Sequence, residues 1–248
     1  MIMVNLFSGK MAAIFDAMYQ TFIDYDEEYN FFNGLIQEKK CNSVLEIGSG
    51  TGNLAKRFCK NNQDYKGLDS SLSMIAIARE KNKDCTFIHG DMRRFELEIP
   101  VDAIIITGRS TSYLINNEDV SGTFESVSKN LTPNGIFIFD IIDANRYIPY
   151  IKEHKTIIHE ATYEGINYIR ESQWEITPFE NFVLNWNAKY YQIENAEKKI
   201  LTEDFSSVRV FTLNEIELFL YLNNFEILKI IDRKTYAYDT YVIMAKKK

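Results

Sequence analysis

One glycine-rich loop and three acidic side chains set in or just after apolar runs carry the chemistry legible in this chain. The loop is Val44-Leu-Glu-Ile-Gly48-Ser-Gly50-Thr-Gly52-Asn53. It follows an apolar run and opens a helical pattern, the context that a nucleotide-binding glycine loop requires. Glycines permit a tight turn and let a ligand approach the backbone closely. A dinucleotide fingerprint wants glycines at its first, third and sixth positions. Here they fall at the first, third and fifth, and the sixth position is Asn53. Gly67-Leu68-Asp69 ends the next apolar run. An acid there accepts from both ribose hydroxyls in nicotinamide and methyl-donor cofactors alike, so Asp69 alone leaves the cofactor open.

His89-Gly90-Asp91-Met92 ends the third run. A carboxylate at Asp91 can accept from an adenine amino group while Met92 covers the ring face; the plainer reading of Asp91 is a helix cap or Asx-turn. Glu46 lies inside the first run, where burial is costly without a donor or a cation, and a cationic ligand would offset that cost. After the fourth run comes Thr107-Gly108-Arg109-Ser110. Arg109 there can grip a carboxylate or phosphate on an acceptor, or be paired internally. Tyr113 can orient an amine or simply pack. Of the three histidines, His89 reads as structural, whereas His154 and His159 could face an acceptor, His159 being kept as a candidate base.

The elements that must position these groups change texture along the chain. Residues 12–40 are helical in pattern, with Phe15, Met18, Tyr19 and Phe22, then Tyr29, Phe32, Leu35 and Ile36 at three- and four-residue steps. From 43 to about 142, apolar runs (Val44–Ile47, Tyr65–Leu68, Thr86–Ile88, Ala103–Thr107, Ile136–Ile142) alternate with helical patterns at 52–61, 72–81 and 118–131. Buried strands alternating with helices predict a parallel, doubly wound sheet. Pro133-Asn134-Gly135 reads as a turn before the fifth strand. From 155 to 211 the period becomes two, with turn residues at 164–167, 177–181 and 194–198, which predicts an antiparallel meander of three or four strands. The end returns to helix (Leu213–Asn224) and two strands (Phe225–Asp232, Tyr238–Lys246). The expected organisation is an α/β core, 1–146 plus 208–248, with an N-terminal helical lid and an antiparallel β insertion at 147–207.

Composition bounds the partners. The 248 residues are 46% hydrophobic, with only 11 Gly and 4 Pro, which excludes disorder as the main state. A net charge of −7 argues against a grip on nucleic acid. The apolar runs are too short to span a bilayer, and residues 1–20 lack a signal-peptide pattern. Cys41, Cys59 and Cys85 stand apart in no metal spacing, so reduced thiols, a cytoplasmic location and no metal are expected.

Together these residues resemble the class I S-adenosylmethionine-dependent methyltransferases. The matching pieces are Glu46-Ile-Gly48-Ser-Gly50-Thr-Gly52, Leu68-Asp69-Ser-Ser71, Gly90-Asp91-Met92-Arg93 and Leu131-Thr-Pro133-Asn-Gly135. Phe15-Asp16-Ala-Met-Tyr19 with Asp24-Tyr25, Gly90 to Phe95, Ser110 to Leu114 and Arg209-Val-Phe211-Thr212 look like the small-molecule branch. That branch includes the amino-sugar N,N-dimethyltransferases and the glycine/sarcosine N-methyltransferases. The resemblance implies a Rossmann-like seven-stranded sheet ending in an antiparallel hairpin, with S-adenosylmethionine as cofactor. It sets Gly48, Gly50 and Gly52 against the methionine part, Asp69 at the ribose, and Asp91 and Met92 at the adenine. Glu46, Ser49, Ser70 and Thr107 are further expected cofactor-binding residues, and Tyr19 and Tyr25 are candidates to close over the methionine end. The Asn/Asp-Pro-Pro-Tyr segment of methyltransferases acting on base or amide nitrogen is absent at 107–110. The expected reaction is therefore in-line methyl transfer to a small-molecule acceptor, an amine nitrogen favoured, which needs placement more than a strong base. Tyr113, Arg109 and His159 are the candidate catalytic residues. A donor-binding sensor or subunit without turnover is the alternative, and a homodimer through the β insertion a further expectation.

Overall fold

The computed structural model describes residues 9–61, 63–154, 156–176, 182–195, 197–235 and 239–248. Seven strands make the main sheet: β1 (Ser43–Ile47), β2 (Asp64–Asp69), β3 (Thr86–His89), β4 (Val101–Ile106), β5 (Leu131–Ile141), β10 (Phe225–Arg233) and β11 (Thr240–Lys247). Their spatial order is β10-β11-β5-β4-β1-β2-β3. β1 pairs in parallel with both β2 and β4, so the winding direction reverses between β1 and β4. Ligands of open α/β sheets bind at such a reversal, outside the carboxyl ends of the strands. β11 runs antiparallel to β5 and to β10, which gives the terminal hairpin.

Both faces of this sheet are covered, which is why its strands read as unbroken apolar runs. On one face Leu45, Ile104, Phe137 and Ile243 pack against Phe124 of α5 (Asn117–Asn130) and Leu220 of α7 (Leu213–Leu222). On the other, Val44, Ala103, Ile138 and Val242 meet Phe32 of α2 (Tyr25–Glu38), Phe58 of α3 (Ala55–Lys60) and Ile75 of α4 (Leu72–Lys81). Alternate residues of one strand thus serve two cores.

A second, four-stranded antiparallel sheet joins β6 (Thr156–Tyr163), β7 (Ile166–Ile176), β8 (Val183–Glu194) and β9 (Glu197–Arg209) in chain order. Its inner face meets α1 (Gly9–Tyr19), where Met11, Ile14 and Met18 pack with Tyr168, Trp186 and Tyr190. α1 therefore touches the insertion on one side and, as shown below, the glycine loop on the other.

Several expectations are corrected in detail. The helical stretch 12–40 is two helices, because the Asp24 carboxylate accepts from the backbone N–H groups of Asp26 and Glu27 and starts α2 afresh. Helix α6 (Ala144–Glu153) occupies a stretch to which the sequence assigned no element; it buries Ala144, Tyr147 and Ile151 and carries Pro149 within it. Pro133-Asn134-Gly135 lies inside β5, not before it: Val101 pairs with Leu131, and the register shifts before Ala103 meets Ile136. Cys59 and Cys85, expected as reduced thiols, form a disulfide with Cα atoms 6.0 Å apart. Their separation of 26 residues conceals that α3 ends beside the start of β3. Cys41 is free and buried. The turn expected at 177–181 lies outside the described residues, as does Tyr238 at the start of the expected last strand. Among the described residues no helix is long and apolar enough to cross a membrane.

Candidate cofactor and acceptor site

The glycine loop leaves β1 at the reversal point and forms the floor of a cavity of about 460 Å3. That volume is in the range of small-molecule and cofactor sites. Two of its glycines do different work. Gly48 has φ 74°, and a Cβ there would stand 2.5 Å from the Ser110 hydroxyl, so its bare backbone faces the cavity. Gly52, φ 77°, does not line the cavity; a Cβ there would meet Asn82 at 2.6 Å and Phe87 at 3.0 Å. It lets the loop pack on α4 and β3.

Asp69, at the end of β2, closes the loop from the far side. Its carboxylate accepts from the Gly50 and Ser71 backbone N–H groups, each at 2.8 Å. Burial nonetheless pushes its pKa up, those backbone donors working in the opposite direction. Asp91, one strand further along the edge, takes a bidentate contact from Arg93, Nη2 to Oδ2 being 2.6 Å. The hydrogen bond from Arg93 holds its carboxyl below the usual range. The Asp91 Oδ1 also accepts from the Arg93 backbone N–H at 3.0 Å, so the turn read as the plainer alternative exists, while Asp91 still lines the cavity. Met92 and Ser70 line it as well.

Glu46 is buried beneath the loop. The Tyr65 hydroxyl donates to one carboxylate oxygen and the Thr107 hydroxyl, at 3.4 Å, to the other. Burial raises its pKa to about 8 in spite of both donors. Glu46 and Thr107 both line the cavity, as do Ser49, Gly50, Tyr19 and Tyr25. Burial holds the Tyr25 hydroxyl well above its ordinary range.

The three candidate catalytic residues separate. Tyr113 lines the cavity and is 43% exposed, at its mouth. Arg109 does not line it. Its backbone N–H donates to both Asp140 oxygens, at 3.0 and 3.1 Å, and its guanidinium donates to Thr235 at 2.5 Å. His159 also lies off the cavity, with its Nδ1 3.0 Å from Arg170 Nη2 and its ring against Phe22. Burial, then the Arg170 charge, lowers its pKa to about 4. A neutral ring accepting from Arg170 is a poor base. His89 sits 3.0 Å from the Ser70 carbonyl and His154 the same distance from the Tyr150 carbonyl.

Asp16 is the site residue that the sequence reading passed over. It lies on α1, lines the cavity, and accepts from the Thr51 hydroxyl, from Asn53 at 2.8 Å and from Gln20 at 2.7 Å. Lys81 of α4 pairs with it at 2.5 Å. The signal was present: a carboxylate in the middle of an apolar helical stripe, where burial demands partners. Among the described residues no group of three or more His, Cys, Asp or Glu is arranged to hold a metal ion.

The chain is similar to known methyltransferases. Residues 44–135 match the family model of the methyltransferase domain. The dTDP-3-amino-3,6-dideoxy-alpha-D-glucopyranose N,N-dimethyltransferase of Streptomyces fradiae is 28% identical over 137 residues, 54% of each chain. The chain thus aligns with about half the length of that relative. Among solved structures, Streptomyces venezuelae DesVI superposes with a TM-score of 0.82 at 19% identity, covering 95% of this chain and 98% of that one. SAM-bound CalS10, an amino pentose methyltransferase from Micromonospora echinaspora, gives 0.78 at 18% identity and 99% of both. The similarity to the methyltransferase domain is thus confined to residues 44–135. The chain as a whole has the fold of class I S-adenosylmethionine-dependent methyltransferases and resembles the sugar N-methyltransferases among them.

Proposed function

We propose that the protein is an S-adenosylmethionine-dependent methyltransferase acting on the amine nitrogen of a small molecule, an amino sugar before other amines. One observation carries the reading: Asp69 and Asp91 stand at the ends of adjacent strands beside the glycine loop, around one cavity at the reversal point of the sheet. The donor-side residues fit the cofactor. Gly48 offers bare backbone, Asp69 an acceptor for ribose hydroxyls, Asp91 and Met92 an edge and a face for adenine, and Glu46 a buried carboxyl for a cation. Bound S-adenosylmethionine would supply an electrophilic methyl, taken by the nitrogen lone pair as the carbon–sulfur pair returns to sulfur and the nitrogen sheds a proton. The chain's own part is to hold, orient and dry the site. α1 covers the cavity with Phe15 and Tyr19, and Tyr113 flanks the mouth. The insertion sheet is the proposed acceptor side, and the likeness to the amino-sugar enzyme of S. fradiae supports that substrate class.

Calorimetry with S-adenosylhomocysteine tests the donor half. Asp69→Asn is expected to weaken that binding about ten- to a hundredfold, the loss of a charged hydrogen-bond acceptor. Mass spectrometry of dTDP-3-amino-3,6-dideoxy-α-D-glucopyranose after incubation with donor tests the other half. No binding of the nucleoside would sink the reading; binding without methyl transfer to this or other amines would favour a donor-binding subunit.

A further inference from the structure

Asp91 shares the rim of the donor cavity with Arg93, which lines it too. The two side chains offer a ligand opposite things: an ionised carboxylate only accepts hydrogen bonds, and a guanidinium only donates them. Their mutual geometry decides which of the two is on offer. Arg93 Nε reaches both Asp91 oxygens, at 2.9 and 3.1 Å, and Nη2 reaches Oδ2 at 2.6 Å. Nη1 donates instead to Asp119 Oδ1 at 3.1 Å. Three of the five guanidinium N–H groups are therefore committed to two carboxylates. Asp91, which also accepts from the Arg93 backbone N–H, takes three N–H groups in all. That leaves about one of a carboxylate's four lone-pair sites for a ligand.

Asp119 does not line the cavity. It sits in the first turn of α5, its backbone N–H donating to the Asn116 side chain at 2.7 Å, where the helix N-terminus favours a negative charge. The same helix fastens the chain that follows Asp91. The Ser126 hydroxyl donates to the Arg93 carbonyl at 3.0 Å. Asn130 donates to the Phe95 carbonyl at 3.0 Å and accepts from the Leu97 N–H at 2.7 Å. Asp119, Ser126 and Asn130 follow one another at steps of seven and four residues and so share one helix face. At Gly122 a Cβ would stand 3.3 Å from the Arg93 carbonyl, so the chain lies close on the helix there. Arg93 is thus held by backbone and side chain alike, although its side chain is 51% exposed.

We propose that Asp119, acting through Arg93, sets the purine preference of the donor site: it holds the guanidinium against Asp91, so that a 6-amino purine meets an acceptor and a 6-oxo purine is refused. The inference rests on the methyltransferase reading and adds to it a positioning residue outside the cavity. An adenine amino group can donate to the remaining lone pair of Asp91. The 6-oxygen of hypoxanthine accepts, and would face a group that also only accepts; such an opposed contact is how a site rejects a near-isostere. The Arg93 hydrogen bonds hold the Asp91 carboxyl below its usual range, so near neutral pH it has no proton to give that oxygen. The guanidinium is the group that could reverse the preference, because it lines the same cavity and donates. Asp119 restrains it by tying Nη1 to α5.

Calorimetric titration with S-adenosylhomocysteine and with S-inosylhomocysteine, its deaminated counterpart, tests this with neither acceptor nor turnover. The wild-type protein should prefer the adenine nucleoside by about a hundredfold. Asp119→Ala should cut that ratio about tenfold, chiefly by tightening the inosine compound as Arg93 turns to its 6-oxygen. General loosening of the fold weakens both nucleosides alike and cancels in the ratio. In an Arg93→Ala background, adding Asp119→Ala should leave the ratio where Arg93→Ala alone puts it, since the effect runs through the guanidinium. Equal binding of both nucleosides by the wild-type protein, an Asp119→Ala variant with the wild-type ratio, or an Asp119 effect that persists without Arg93 would each overturn the proposal. Failure of the wild-type protein to bind S-adenosylhomocysteine at all would overturn the donor reading itself; the other outcomes arise only in a protein that binds it.

Discussion

Glu46 illustrates how one buried carboxyl ties stability to cofactor. Its hydroxyl donors, Tyr65 and Thr107, do not compensate for burial, and its pKa rises from 4.5 to about 8. The folded state therefore holds a proton that the unfolded chain gives up. Its contribution is fully present below pH 4.5, and stability falls as pH rises through the window up to about 8. Glu46→Gln keeps an acceptor for Tyr65 and should flatten that part of the pH dependence, as measured by urea unfolding at several pH values. An unchanged slope in the variant would show that other groups set it. A bound sulfonium and ammonium would favour the ionised carboxyl. Donor binding near neutral pH should thus release a proton, seen as a binding enthalpy that varies with the ionisation enthalpy of the buffer. The variant should lose this dependence. The acid was legible in the sequence, set inside an apolar run; its partner Tyr65 was not, because nothing in the local pattern of β2 says which residue of β1 its hydroxyl meets.

At the scale of elements, periodicity found what is governed by periodicity. β1 to β4 and α4 follow from runs whose alternate residues feed two cores, and the terminal hairpin from two closely spaced apolar runs. What failed was decided by single residues or by contacts distant in sequence. Asp24 divides one helical stripe into two helices; Pro149 sits within a helix whose amphipathic face packs against the insertion; Asn134, with φ 70°, allows β5 to begin early and shift register. The cavity-lining Gly48, Asp69 and Asp91 were legible because they stand at strand ends. The polar cluster inside the insertion was not, since Arg170, Tyr190 and Asp204 come together only through the register of β7, β8 and β9. α1 shows the consequence for the lid. Asp16 fastens it to Thr51 and Asn53 of the loop and to Lys81 of α4, so the cover and the floor of the cavity are one hydrogen-bonded unit. Asp16→Asn removes the ion pair and weakens the acceptors. It should cost about 1–2 kcal/mol in unfolding and speed hydrogen exchange selectively in residues 9–19. Uniform protection in that helix would mean that packing alone holds the lid.

For the whole molecule, α1 stands between the insertion core and the donor cavity. Its apolar side enters the cluster with Tyr168, Trp186 and Tyr190 of the insertion, and its Asp16 side seals the donor cavity. A change that loosens α1 from the insertion should therefore be felt at the glycine loop. Met18 tests this because it is fully buried in the shared cluster and does not line the donor cavity. Truncating a buried methionine costs the transfer energy of the removed atoms plus that of the void they leave. Met18→Ala should thus lower unfolding stability by about 2–4 kcal/mol. It should also weaken S-adenosylhomocysteine binding, through the altered seating of Tyr19 and Asp16 and with no contact to the nucleoside lost. Tryptophan fluorescence should red-shift as Trp186 gains access to water. If stability falls while nucleoside affinity and the loop's hydrogen exchange remain at wild-type values, α1 fastens the insertion only, and the insertion and the donor cavity are mechanically separate. If affinity falls with stability, the N-terminal helix couples them: its packing on the insertion sets how Tyr19 and Asp16 meet the donor cavity.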